Sequence, residues 1–286
     1  MEPDKRRWLV TGASGMLGAD VVALLRRQGA RVTPLTRHDL DITDPAQVVT
    51  RVRDVDVVVN CAAWTAVDDA ERHEEQAFVV NALAPQLLAR AAHAAGARMV
   101  HLSTDYVFSG DQRQSHSESA ALDPRSAYGR TKAAGEWAVR AECPDHLIVR
   151  TAWLYGAHGP CFPKTMARLA AERAELTVVD DQVGQPTWTA DLAELILRLV
   201  DAQAPAGIYH GTARGEVSWY GFAKEVVQAL GRDPAMVRAV SSDEYPRLAP
   251  RPAYSVLGHD ALRAAQIEPI GHWSERWDVA AAAVLP

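Results

Sequence analysis

Trp8-Leu9-Val10-Thr11-Gly12-Ala13-Ser14-Gly15-Met16-Leu17-Gly18 holds a short apolar run, a glycine loop and the start of a segment whose next apolar residues, Val21, Leu24 and Leu25, fall at helical spacing. The run predicts a buried strand and the spacing predicts a helix. Glycines at 12, 15 and 18 let the backbone turn tightly, approach a pyrophosphate closely and pack helix on strand, while the helix amino end offers free amides to the phosphates. A glycine pattern is weak evidence alone and gains weight between a strand and a helix; the plain alternative is a glycine-rich turn that binds nothing.

Outward from that loop, Arg31 to Leu35 read as the second strand, with Pro34 awkward in a sheet interior. At its end an NAD-selective site would place an acid, and this chain has Thr36-Arg37-His38. That tilts the coenzyme towards NADPH, with Arg37 on the 2′-phosphate and NADH the other coenzyme to test. Asp39 and Asp41, with Ile42 beside them, are the competing contacts for ribose or adenine. Asp44-Pro45-Ala46-Gln47 reads as a capped helix start. Asp56 to Asn60 is an apolar strand of the kind buried on both faces, and Cys61-Ala62-Ala63 after it leave room for a flat cofactor.

A helix through Asn81, Leu83, Leu87 and Leu88 comes next, then a strand, Met99 to Leu102, that ends in Ser103-Thr104-Asp105-Tyr106. Hydroxyls and an acid at a strand's carboxyl end lie where open α/β sheets bind ligands. Leu147 to Thr151 is one more strand, so the first 155 residues alternate strand and helix, which predicts an α/β doubly wound parallel sheet. The pattern then loosens, and prolines at 246, 250, 252 and 269 break the last segment. The expected organisation is a dinucleotide-binding Rossmann domain over 1–152, with 176–212 returning to it, and a smaller interleaved substrate lobe from 153–175 and 213–286.

In Ser126-Ala127-Tyr128-Gly129-Arg130-Thr131-Lys132, Tyr128 and Lys132 are four apart and share one face of a helix. An ammonium beside a phenol favours the phenolate, so the spacing predicts that Lys132 lowers the Tyr128 pKa and makes it a proton donor near neutral pH. Lys is rare here: the 30 basic residues include only Lys5, Lys132, Lys164 and Lys224. A surface pair on an amphipathic helix is the bland alternative.

Composition excludes several functions. The 286 residues, 48% apolar and 23% charged, suit a globular chain with a sizeable core. A net charge of −6 argues against a nucleic-acid footprint, and no apolar run suits a signal peptide or a membrane span, so a cytoplasmic location is expected. Three widely spaced cysteines, Cys61, Cys143 and Cys161, fit neither a disulfide framework nor a zinc site.

Together, TGASGMLG (11–18), LDITDP (40–45), VVNCAAWTAVDDAE (58–71), LSTDYVFSGD (102–111), YGRTKAAGE (128–136), RTAWLYG (150–156), DDQVGQPTWTADLAE (180–194) and RPAYSVL (251–257) resemble the extended short-chain dehydrogenase/reductases and, within them, the dTDP-4-dehydrorhamnose reductases. The resemblance implies catalytic roles for Thr104, Tyr128 and Lys132. It implies dinucleotide contacts from Gly12, Gly15, Met16, Leu17, Ala62, Ala63 and Lys132, and sugar contacts from Asp105, Tyr106 and Trp153. Trp64 stands where the family usually has Tyr. Some relatives form metal-bridged dimers, but only Asp20 of that acidic cluster matches, so no Mg2+ site is assigned and monomer or homodimer is expected.

The implied reaction reduces the 4-keto group of a dTDP-linked 6-deoxyhexose. Tyr128 would give the proton, Thr104 hold the oxygen, Lys132 anchor the nicotinamide ribose, and the Trp153 ring face the sugar's C–H side. Arg251 is read as a clamp for the diphosphate, an exposed loop arginine being the alternative. Thr104 as a backbone cap and Trp153 as core are the plain alternatives for those two. Two other functions stay open: 4-ketoreduction of another dTDP-deoxysugar in an antibiotic pathway, and a non-catalytic dinucleotide-binding regulatory subunit.

Overall fold

The computed structural model describes residues 4–286. Its first half runs β1 (Arg7–Thr11), α1 (Met16–Arg27), β2 (Arg31–Leu35), α2 (Pro45–Val52), β3 (Val57–Asn60), α3 (Val67–Ala70), α4 (Glu74–Phe78), α5 (Ala84–Ala94), β4 (Arg98–Thr104), α6 (Ala127–Glu142) and β5 (His146–Thr151). The second half runs β6 (Leu154–Tyr155), α7 (Phe162–Glu172), β7 (Leu176–Val179), β8 (Val183–Gly184), β9 (Thr187–Trp188), α8 (Thr189–Asp201), β10 (Gly207–His210), β11 (Ala213–Arg214), β12 (Val217–Ser218), α9 (Trp219–Ala229), β13 (Val237–Val240), α10 (Asp260–Ala264), β14 (Ile270–His272) and α11 (Trp273–Val284).

Six strands form one parallel sheet in the order β10-β5-β4-β3-β1-β2. β2 is an edge, which resolves Pro34: a missing N–H is tolerated on the open side of an edge strand. Alternate residues feed two cores, as a pleat of period two requires. Val10, Val57, Val59, Val100 and Val149 meet Leu17, Val21, Leu192 and Ile196 of α1 and α8. Leu9, Val58, Met99 and Ile148 meet Val48, Leu88 and Val139 of α2, α5 and α6 on the other face. Asp44 caps α2 by accepting from the Ala46 and Gln47 amides.

Between α4 and α5 the helix widens into a π turn over Val79–Leu83. Pro85 lies four residues after Asn81 and has no N–H for the Asn81 carbonyl, so the regular α ladder cannot continue there. Gly135 of α6 packs on that carbonyl, where an added Cβ would fall 2.1 Å from the oxygen.

The segment 176–188 departs from the expected organisation. β7 pairs with β13 and β8 with β12, in small ladders outside the main sheet, and only α8 and β10 return to it. The physical reason lies in burial: β7 alternates buried and exposed residues, so it has one face to cover, whereas β3 is buried throughout.

Candidate active site

The glycine loop is built by close backbone approach. Gly12 has φ +64°, and a Cβ there would lie 2.7 Å from the Ala62 amide nitrogen. At Gly18 a Cβ would lie 2.2 Å from the Gly12 carbonyl oxygen. No side chain caps α1 at Gly15, so the amides of its first turn, those of Met16 and Leu17 among them, are open to an anion. The Leu17 side chain belongs to the core, which leaves its backbone as what it offers a ligand. Opposite stand Ala62 and Ala63, half-buried, whose methyls keep the cleft flat. These features fit a bound dinucleotide pyrophosphate.

At the adenosine end both candidate acids are engaged. Asp39 accepts from the amide and hydroxyl of Thr36, and Asp41 from those of Thr43. Ile42 is half-buried beside them. Arg37 is exposed and makes no ion pair among the described residues.

α6 carries the pair that the sequence singled out. Ser126 caps it by accepting from the Gly129 amide, and Gly129 lets the helix press on the Tyr106 carbonyl, 2.2 Å from where its Cβ would be. Tyr128 thereby sits edge-on to Tyr106, with ring centroids 5.6 Å apart, and near the Thr104 hydroxyl.

One expectation about this pair is overturned. Burial pushes the Tyr128 phenol up to about 12, against the pull of the nearby Thr104 hydroxyl and helped by the Asp105 carboxylate. Lys132 does not acidify it: its ammonium turns away, donating to the Leu102 carbonyl at 2.5 Å and lying 3.5 Å from His101 Nε2. Spacing placed both residues on one face, but a long flexible stem let the charge leave its neighbour. Burial also lowers Lys132 to about 8.

Thr104 donates to Asp105 Oδ1 at 2.9 Å and accepts from the Tyr106 amide at 3.2 Å. Burial raises Asp105 to about 6, against the pull of the Ser255 hydroxyl, and neither its second carboxylate oxygen nor that hydroxyl, both buried, makes a close hydrogen bond. An orphaned acceptor beside the phenol is what a sugar hydroxyl would satisfy.

Beyond Tyr106 a cavity of about 410 Å3 opens between the lobe and the sheet, lined by Tyr106, Phe162, Arg173, Trp219, Arg247 and Arg251. Arg251 is no loose loop residue. It pairs with Asp68 at 2.8 Å, lies over the Tyr106 ring at 5.8 Å and keeps one buried nitrogen, Nη1, without a partner. A larger open hollow of about 610 Å3 lies at the strands' amino ends among Asp4, Arg98, Asp145 and Asp201, far from these groups. It is the wrong end of a parallel sheet for chemistry.

Trp153 also departs from expectation. Its indole stacks on Trp219, with centroids 3.5 Å apart and planes 5° apart, and Gly184 packs so closely that a Cβ would fall 2.5 Å from its Cε2. Trp219 covers one face of the indole, and it is Trp219, not Trp153, that lines the cavity. Trp153 stands at φ +47°, a region that non-glycine residues rarely occupy.

Sequence reasoning missed Phe162, Arg173, Trp219 and Arg247, because nothing local ties them to the site. It also missed Asn81, which accepts from the Trp64 amide at 2.8 Å and donates to Thr131 at 3.1 Å, tying the cleft wall to α6. A Pro four residues on was its available signal. Among the described residues no group of three or more His, Cys, Asp or Glu side chains is arranged to hold a metal, and Asp20 instead accepts from Thr189 at 2.5 Å.

A family profile described as the RmlD substrate binding domain matches residues 6–284. The chain belongs to that family. It is 52% identical to the dTDP-4-keto-6-deoxy-D-glucose reductase of Streptomyces niveus over 272 residues, 94% of each chain. It is also 52% identical to the dTDP-4-dehydrorhamnose reductase of Streptomyces griseus over 281 residues, 96% of this chain and 92% of that one. A crystal structure of dTDP-4-dehydrorhamnose reductase from Bacillus anthracis in complex with NADP superposes with a TM-score of 0.93 at 37% identity, covering 97% of this chain and 99% of that one. Its fold is thus that of the reductases, and no helix among the described residues is long and apolar enough to cross a membrane.

Proposed function

We propose that the chain is an NADPH-dependent reductase of the 4-keto group of a dTDP-linked 6-deoxyhexose, with dTDP-4-dehydro-L-rhamnose as substrate and dTDP-L-rhamnose as product. The observation that carries this is Tyr128: a half-buried, protonated phenol near Thr104 and Asp105, edge-on to the Tyr106 ring that lines the arginine-bearing cavity. NADPH, when bound, supplies the hydride. The carbonyl oxygen that gains charge then needs a proton and fixed donors.

A phenol held near 12 keeps its proton at neutral pH, so Tyr128 is in the form that reduction consumes. Thr104 orients the phenol, and Asp105 holds a sugar hydroxyl. Arg251 and Arg247 suit the diphosphate, and the Trp219 and Phe162 rings suit apolar faces of the ligand. Gly12, Gly15, Met16, Leu17, Ala62 and Ala63 would cradle the coenzyme, with Arg37 free for a 2′-phosphate. Support for NADPH also comes from the NADP bound in the Bacillus anthracis relative.

Tyr128→Phe should bind NADPH as the parent does while turnover falls at least about a hundredfold, the lower range for a general acid. Unchanged turnover on dTDP-4-dehydro-L-rhamnose removes Tyr128 from the mechanism.

A second substrate is favoured by one finding: the Streptomyces niveus relative, equally identical, carries the name of a dTDP-4-keto-6-deoxy-D-glucose reductase. Initial rates on the dTDP-4-keto-6-deoxyhexose with and without prior 3,5-epimerisation separate the two.

A further inference from the structure

Polar side chains interrupt two otherwise apolar buried strands at neighbouring positions: Asn60 at the end of β3 and His101 inside β4, paired in register. His101 has no solvent exposure, and no step proposed so far uses it. Asn60 Oδ1 accepts from the Thr11 hydroxyl at 2.6 Å and from the Ala62 amide at 3.2 Å. The Ala62 N–H can only donate, so it fixes which end of the Asn60 amide is oxygen. Asn60 Nδ2 therefore faces His101 Nδ1, at 3.1 Å, and donates to it. A neutral imidazole that accepts at Nδ1 carries its proton on Nε2. That Nε2–H points at Lys132 Nζ, 3.5 Å away.

An N–H aimed at an amine stabilises its lone pair and opposes a third N–H bond. We propose that His101, held in its Nε2–H form by the Thr11–Asn60 pair, is a positioning residue that adds to burial in favouring the uncharged amine of Lys132 and so lowers the pH at which Lys132 loses its charge. The proposal rests on the reductase reading only for its consequence, that Lys132 charge governs the alkaline limit of turnover.

The other groups facing Lys132 do not duplicate this role. Cys61, at the end of β3, is a thiol pushed up to about 12 by burial and so stays neutral. Tyr128, one turn back on α6, is likewise neutral. Glu136, one turn on, favours the ammonium, but its carboxylate is held by Arg150 at 2.7 Å and Ser103 at 2.6 Å. On β4 the Leu102 carbonyl accepts from the amine in either form. Burial keeps His101 itself far below its ordinary value, so it remains neutral across the working range.

The test reads Lys132 directly. The chain has four lysines, so 13C-lysine NMR resolves them, with Lys132→Arg giving the assignment. His101→Phe removes the donor while keeping the site dry, and Lys132 should then titrate at least about half a unit higher. His101→Gln, whose amide offers one acceptor and one donor, should restore the parent value. If His101→Phe fails to fold, His101→Asn keeps a partner for Asn60 but cannot reach Lys132, and the same upward shift is expected.

In the alkaline limb of kcat/KM on dTDP-4-dehydro-L-rhamnose the same displacement should appear, whereas a merely structural role would lower activity without moving the limb. A Lys132 titration unchanged in the donor-less variant overturns the proposal. Absence of any ketone-dependent NADPH oxidation overturns the functional reading instead, and the NMR titration still decides on His101.

Discussion

The glycine-loop cleft and the lobe cavity, which Tyr106 lines, are built in opposite ways. In the cleft the walls are backbone: Gly12 and Gly18 bring main chains into contact, and Ala62 and Ala63 keep side chains out. In the cavity the walls are large side chains held by one another: Trp153 on Trp219, Trp219 against Phe162 at 4.5 Å, and Arg251 between Asp68 and Tyr106. A backbone cleft is intolerant of any added atom and suits a coenzyme of constant shape. A side-chain cavity can be remodelled by substitution, which suits a fold whose relatives carry different keto-sugar names.

Three substitutions probe that contrast. Gly12→Ala should have the largest effect, because it combines a strained positive φ with a 2.7 Å approach to the Ala62 nitrogen that neither backbone can relieve. NADPH binding, followed by fluorescence titration, should weaken at least about a hundredfold, a cost of roughly 2.7 kcal/mol. Retention of parental affinity would break the comparison.

Trp219→Ala should act on the other side only. It removes the ring stacked on Trp153, an aromatic pair worth about 0.5–1.5 kcal/mol beyond burial. The KM for the sugar nucleotide should rise about tenfold while the NADPH dissociation constant stays within about a factor of two. Equal losses of both ligands would show that the two regions are one mechanical unit.

The smallest effect sharpens the boundary between them. Asp105 titrates at about 6 in the folded chain against an ordinary 3.8, because burial disfavours its charge. Between those values the native state holds a proton that the unfolded chain has lost. This group's contribution to stability therefore falls as pH rises through that window and stays low above it. Asp105→Asn should lack that decline, so parent and variant melting temperatures measured from pH 4 to pH 7 should diverge in the variant's favour. Parallel curves would mean that Asp105 is not desolvated.

The cleft was legible in the sequence because its determinants are local. A strand, three glycines and a helix occupy Trp8 to Leu25, and the glycines' reasons to be glycine lie in that segment, in the positive φ of Gly12 and the Gly12–Gly18 approach; only the Gly12 contact with Ala62 comes from the distant end of β3. Tyr128 and Lys132 were legible as positions, since four residues along α6 put them on one face. Their electrostatic relation was not, because it depends on the direction of a flexible ammonium and on burial by α3, α4 and β4. Asn60 and His101 left a trace, a polar residue inside an apolar run, but only register shows that they touch.

By itself the sequence determined the alternating parallel sheet, the glycine turn between β1 and α1, and which residues stand at the strands' carboxyl ends, because helical and strand periodicities and glycine conformations act over a few residues. The tertiary structure alone decided that β7 leaves the sheet for β13, that Trp219 and not the Trp153 face lines the cavity, and that Lys132 turns to Leu102 and His101. Each of those depends on which distant segments desolvate one another, and burial is a property of the packed chain that no short stretch carries.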